Sequence, residues 1–144
     1  MAKDKLKTFE WEALNIEFSV MGDFEVRENT EENFIASTKS NDFVILLAPA
    51  DTEGLDERSL GKELANLAIQ QYGFDPNEME IETFDCDGGF GGYILGVDSE
   101  GRLCLLALAK SLDEESDVCV VITEYIPEDR AEDAGKMLGS IRFK

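Results

Sequence analysis

The sequence predicts an α+β fold: a single domain over residues 1–144 with a large antiparallel sheet packed by two main helices. Three observations carry that expectation. From Gly91 to Tyr125 the chain is a succession of apolar runs joined by short polar breaks, which reads as a three-stranded meander in the C-terminal half. Two other segments, Leu55 to Phe74 and the residues after Pro127, change to helical spacing. The N-terminal residues alternate apolar and polar, as strands with one wet face do.

In the meander, Gly91 to Val97 is followed by the turn Asp98-Ser99-Glu100-Gly101. In the next run Leu103, Leu105, Ala107 and Ala109 point to one face, and Cys104, Leu106 and Leu108 to the other, because side chains alternate along a strand. The third run repeats the pattern, with Val118, Val120 and Ile122 opposed to Cys119 and Val121. Strands apolar on both sides are expected to be covered twice, by helices, a second sheet or a partner subunit.

Before the meander, Phe9, Trp11, Ile16, Phe18 and Val20 alternate with Glu10, Glu12, Glu17 and Ser19, and Met21-Gly22-Asp23 turns the chain into Phe24 and Val26. These aromatics read as core rather than as a binding patch. Phe34 to Thr38 and Phe43 to Leu47 form a hairpin across Lys39-Ser40-Asn41-Asp42, since Asn and Asp tolerate the left-handed backbone of tight turns. Leu60, Leu64, Leu67, Ala68 and Tyr72 make one helical stripe; Asp56 is its N-cap candidate, Leu55 and Leu60 have the spacing of a hydrophobic staple, and Gly73 ends it. Met79 to Phe84 is a short strand leading to the turn Asp85-Cys86-Asp87-Gly88-Gly89. Pro127, with Glu128 and Asp129, opens a second helix whose stripe is Ala131, Ala134, Leu138 and Ile141; Gly139 terminates it and Ser140 to Phe143 make a last strand.

Composition bounds function. Lys and Arg number 13 against 32 Asp and Glu, a net charge of −19. That excess disfavours nucleic acid and anionic membranes and leaves a basic protein partner or a divalent cation open; its plainer reading is that it keeps a cytoplasmic protein soluble. The absence of histidine removes the commonest general base, the commonest metal ligand and the Ser-His and Cys-His nucleophile pairs. Cys86, Cys104 and Cys119 lack framework spacing and read as thiols in a reducing compartment. Met1 to Lys7 has no signal-peptide core, and no run approaches the roughly 18 apolar residues of a membrane span, so a cytoplasmic location is expected.

Candidate chemistry is sparse. Asp85-Cys86-Asp87-Gly88 begins like a calcium loop, but Gly89 stands where the third ligand belongs and no bidentate glutamate follows. Gly88, Gly89, Gly91 and Gly92 precede a strand rather than a helix, so they read as turn or bulge residues and not as a phosphate cradle. Cys86 sits between carboxylates that disfavour the thiolate. The acidic loop Asp113, Glu114, Glu115 and Asp117, with Glu53, Asp56 and Glu57 elsewhere, is the candidate interaction loop for a basic partner.

Asn15 to Val20 followed by Phe24-Glu25-Val26, the mid-chain amphipathic helix, Gly91-Gly92-Tyr93 entering the meander and the ending Lys136 to Phe143 together resemble the PsbP-like superfamily. That family also includes a Ran nucleotide-release factor. The resemblance covers nearly the whole chain by layout and implies a non-enzymatic binding domain without carrying over any functional residue. Histidine metal sites of some photosynthetic members have no counterpart here. The expectation is a cytoplasmic protein-interaction module with no cofactor, metal or catalytic residue. An acidic secretion chaperone, a toxin-immunity protein and a small-molecule binder with a pocket between sheet and helices stay open, as does homodimerisation through one sheet face.

Overall fold

The computed structural model describes residues 6–12, 14–50, 57–77, 80–112 and 119–143. Seven strands form one antiparallel sheet and three form a second. In the smaller sheet β1 (Leu6–Trp11) and β2 (Ile16–Met21) make a hairpin, and β10 (Arg142–Phe143) pairs with the other side of β2. The larger sheet comprises β3 (Glu25–Asn29), β4 (Phe34–Ser37), β5 (Val44–Pro49), β6 (Ile81–Cys86), β7 (Gly89–Val97), β8 (Leu103–Ser111) and β9 (Cys119–Tyr125). Its order is β3-β4-β5-β9-β8-β7-β6, so the predicted meander is present and the hairpin β4-β5 joins it through β9. α1 (Glu57–Tyr72) crosses from β5 to the far edge strand β6.

The two-sided burial read from the meander is present. Leu105, Ala107, Ala109, Val120 and Ile122 pack in the core that holds Trp11, Phe18 and Val20 of the small sheet and Met137 and Leu138 of α2 (Ala131–Leu138). Cys104, Leu106, Leu108 and Cys119 face the other way, against Leu60, Leu64 and Ala68 of α1. Each fully buried Leu or Ile in these layers contributes about 1.5–3 kcal/mol relative to its exposed state. The chain therefore forms an α+β fold with its main sheet between α1 on one side and α2 with a second sheet on the other.

The element ends show where local signals were followed. Gly73 closes α1 at φ 71°, Phe74 N–H donates back to Ala68 O at 3.0 Å, and Ser99 N–H donates to Tyr72 O at 3.0 Å. Asp56 and Leu55, the proposed cap and staple, lie outside the described residues, as do Met79 and Val118. The second helix begins later than Pro127 suggests: a 3-10 turn, Glu128–Arg130, intervenes before α2. Arg130 lies at φ −122°, ψ 21°, outside the α region, where its guanidinium reaches Asp23. Ile141, placed on the helical stripe by spacing, follows the helix but is buried in the same core.

Candidate interaction site

The small sheet and α2 cover one face of the large sheet incompletely. Between α2 and strands β6 to β8 they leave a groove of about 240 Å³. Phe84, Tyr93, Leu95 and Leu105 form its floor. Strand register puts them on one face: Phe84 opposes Gly91, two residues before Tyr93, and Leu95 opposes Leu105. A side chain at Gly91 would collide with the Leu108 carbonyl and the Phe84 ring, so glycine there lets the ring lie flat across the strand. The wall is α2, which presents Leu138 and a line of small residues, Ala131, Gly135 and Gly139, at four-residue intervals. A Cβ added at Gly135 would meet nothing within 4 Å.

Beyond the groove the same face stays apolar and wet. Leu95 is 43% exposed and Val97 52%, with half-buried Leu103 opposite Val97. Carboxylates surround this apolar strip: Glu82 opposes Tyr93 across β6 and β7, and Glu128, Asp129 and Glu132 gather at the start of α2, where acids also favour the positive end of the helix dipole. All four are exposed, and none forms an ion pair with another described residue. Lys136 is the one basic residue of α2.

Two ionisable groups are withdrawn from water on this side of the sheet. Arg130 donates to both carboxylate oxygens of Asp23, at 2.7 and 3.1 Å, and from Nε to Asp133 at 2.9 Å. Its guanidinium lies 5.0 Å from the Phe43 ring centre and 5.9 Å from that of Phe24. The bidentate bond to Asp23 raises its pKa further. Glu124 lies on β9 between Ile45 and Leu105, is fully buried, and has no hydrogen-bond partner for either carboxylate oxygen. Burial pushes its carboxyl well above the ordinary 4.5.

The residues singled out from sequence are distributed as follows. Asp113, Glu114, Glu115 and Asp117 of the acidic loop lie outside the described residues, as do Glu53 and Asp56. Asp87 pairs with Arg142 at 3.2 Å, tying the Asp85–Gly89 turn to β10. Cys86 is half-buried and its thiol is pushed up to about 11, by burial first and then by Asp85 and Asp87, which leaves a negligible thiolate fraction at neutral pH. Among the described residues no three metal-ligating side chains gather. Trp11 is core, with its indole N–H donating to Thr30 O at 2.6 Å, and Phe18 and Phe24 are buried with it. The groove, the Arg130 cluster and the burial of Glu124 were not singled out. The last had a signal, since Glu124 continues the alternation Val120, Ile122 onto the buried face.

No family model matches the chain, and no curated protein matches it. Solved structures do. The Ran-binding protein Mog1p of Saccharomyces cerevisiae superposes over 97% of this chain and 85% of its own with a TM-score of 0.59 at 14% identity. A point mutant of Mog1 matches over 92% and 84%, with a TM-score of 0.58 at 15% identity. The cyanobacterial PsbP of Synechocystis sp. PCC 6803 matches over 98% and 94%, with a TM-score of 0.60 at 10% identity. These matches define the class of fold. It is the PsbP/Mog1-like fold, as the layout of the sequence implied.

Proposed function

We propose that this protein is a non-enzymatic interaction module that binds a basic protein partner in a reducing, cytoplasmic setting. One observation carries the reading: the four arginines with described side chains are all occupied by the protein's own acids. Arg27 pairs with Glu25, Arg102 with Asp98 and Glu100, Arg130 with Asp23 and Asp133, and Arg142 with Glu17 and Asp87. With 32 acids against 13 bases, the carboxylates left over set the sign of the surface. Such a surface steers cationic partners and repels polyanions. Similarity of fold to a Ran-binding protein supports protein binding as the mode of action, and the buried thiols of Cys104 and Cys119 suit a reducing compartment.

The acidic loop Asp113, Glu114, Glu115 and Asp117 belongs to this proposal as part of the binding surface. Affinity capture from native extract, read by mass spectrometry at low and at 0.5 M salt (roughly a 4 Å screening length), tests it. The expected result is a stoichiometric basic partner, lost in salt and weakened when Asp113 and Glu114 are both changed to Lys. An acidic partner, salt-indifferent capture or no stoichiometric partner would overturn it.

A further inference from the structure

We infer that the groove between α2 and strands β6 to β8 is an anchor site for one bulky apolar side chain carried on a lysine- or arginine-flanked segment of a protein partner. The inference rests on the reading of the chain as a binder of basic proteins and adds where, and by what chemistry, that partner is gripped.

Size favours a side chain over a free metabolite. The cavity, about 240 Å³, exceeds the roughly 150 Å³ that holds a benzene-sized group. It falls below the roughly 300–1,000 Å³ of pockets that enclose drug-sized ligands. One leucine, phenylalanine or tryptophan side chain fits such a space. The lining suits it: Phe84, Tyr93, Leu105 and Leu138 are apolar or aromatic, the composition of pockets that seat interface anchors. The wall suits a polypeptide in particular. Ala131, Gly135 and Gly139 are exposed and carry almost no side chain, so a second backbone can lie close along α2 while its anchor turns inward.

Exposed Leu95 and Val97 extend the apolar strip past the cavity, and covering them would add to binding at about 25 cal/mol per Å² removed from water. Charge selects the occupant. Glu82 on one side and Glu128, Asp129 and Glu132 on the other have no ion-pair partner among the described residues, while α2 itself carries one base, Lys136, and Arg130 before it is taken by Asp23 and Asp133. An apolar slot between carboxylates that no described base neutralises matches an apolar residue between cations. It disfavours a second copy of this chain, which would bring its own net charge of −19 to the same place.

The test uses the full chain and a synthetic twelve-residue peptide with one tryptophan flanked by lysines. Three controls accompany it: tryptophan replaced by alanine, lysines replaced by glutamates, and tryptamine alone. Amide NMR shifts are expected at Leu95, Gly135 and Gly139 with the parent peptide, and each altered peptide should bind at least tenfold more weakly. Gly135→Leu, which points into open space and raises helix propensity, should keep the fold and weaken the peptide at least tenfold. Shifts that avoid these three amides, or affinity unchanged by Gly135→Leu, would overturn the inference. Tryptamine binding as tightly as the peptide would make the groove a small-molecule site, and a dimer in light scattering that Gly135→Leu dissolves would make it a self-association site; either result overturns it too. Salt-sensitive capture of a basic partner that survives Gly135→Leu would remove the groove while leaving the acidic surface as the binding agent.

Discussion

Arg130 and Glu124 lie close in sequence, both are withdrawn from water, and the fold treats them in opposite ways. The corner around Arg130 gathers two carboxylates and two aromatic rings from β2's turn, the β4-β5 hairpin and α2, so the guanidinium stays charged with its donors engaged. The middle of β9 offers Glu124 only aliphatic neighbours across the ladder, Ile45 and Leu105, and both of its oxygens are left without a partner. An ion leaves water at tolerable cost when hydrogen bonds and an opposite charge replace its hydration; without them it is driven to its neutral form. One region is therefore a tie holding α2 to the turn after β2, and the other is a built-in liability of the core.

The largest effect is expected at the tie. Arg130→Met would remove the cation that Asp23 and Asp133 share and strip the guanidinium from the Phe24 and Phe43 rings. Removal of one partner from a fully buried pair costs about 3–5 kcal/mol. Arg130 keeps 17% of its side-chain surface and Asp23 33%, so about 2–3 kcal/mol is expected. Urea titration measures it, and Arg130→Lys should recover less than half, because an ammonium cannot make the two-pronged bond to Asp23. A loss under 1 kcal/mol would mean that the pair adds nothing beyond a surface ion pair.

Glu124 should respond with the opposite sign. Glu124→Leu replaces an unsatisfied buried carboxyl by a group that suits its surroundings, and a gain of about 1–3 kcal/mol at neutral pH is expected. The pH dependence follows from the raised pKa. Below about 4.5 both folded and unfolded chains hold the proton and stability does not depend on it. As pH rises past that value the unfolded chain releases the proton while the folded one keeps it, so stability falls by about 1.4 kcal/mol per pH unit until the folded pKa is reached. Glu124→Gln cannot titrate, so the difference between its stability and that of the parent should widen from pH 4.5 upward in denaturation at a series of pH values. A constant difference would show that Glu124 is ionised and hydrated in the folded state.

The same contrast explains what could be read from the sequence. The faces of β8 and β9 were legible because a period of two needs no tertiary knowledge: Leu105 and Ala107 on one side and Cys104 and Leu106 on the other follow from position alone. The α1 stripe was legible for the same reason, and continuing the β9 alternation two residues past Ile122 reaches Glu124. Arg130 was not legible, since its partner Asp23 is 107 residues away and nothing local distinguishes a paired guanidinium from a solvated one. The division into two sheets was equally hidden: Glu10 and Glu17 announce a wet face on β1 and β2 but not which strands they join, and β10 has two residues, too few to show a period. The groove is made by small residues on α2 and by cover that stops short of Leu95, and a sequence pattern does not record where cover stops.

Arg102 supplies the control that separates burial from bonding. Like Arg130 it meets two carboxylates, Asp98 and Glu100, at 2.9 and 2.8 Å, and it faces one aromatic ring, Tyr125, 4.2 Å away, where Arg130 faces two. The larger difference is that half of its side-chain surface is in water. Water there competes for every donor and screens both charges, so the pair adds little to what solvent already supplies. The β7-β8 turn does not depend on it either, because Asp98 keeps two backbone bonds, from Glu100 N–H at 3.0 Å and Arg102 N–H at 2.9 Å, whatever side chain stands at residue 102. Arg102→Ala is therefore expected to leave the urea midpoint unchanged within experimental error, whereas Asp98→Ala, which removes the acceptor of both backbone bonds, should lower it measurably. If Arg102→Ala destabilised as much as Arg130→Met, the number of bonds rather than the exclusion of water would govern these clusters, and the explanation given for Glu124 would fail with it.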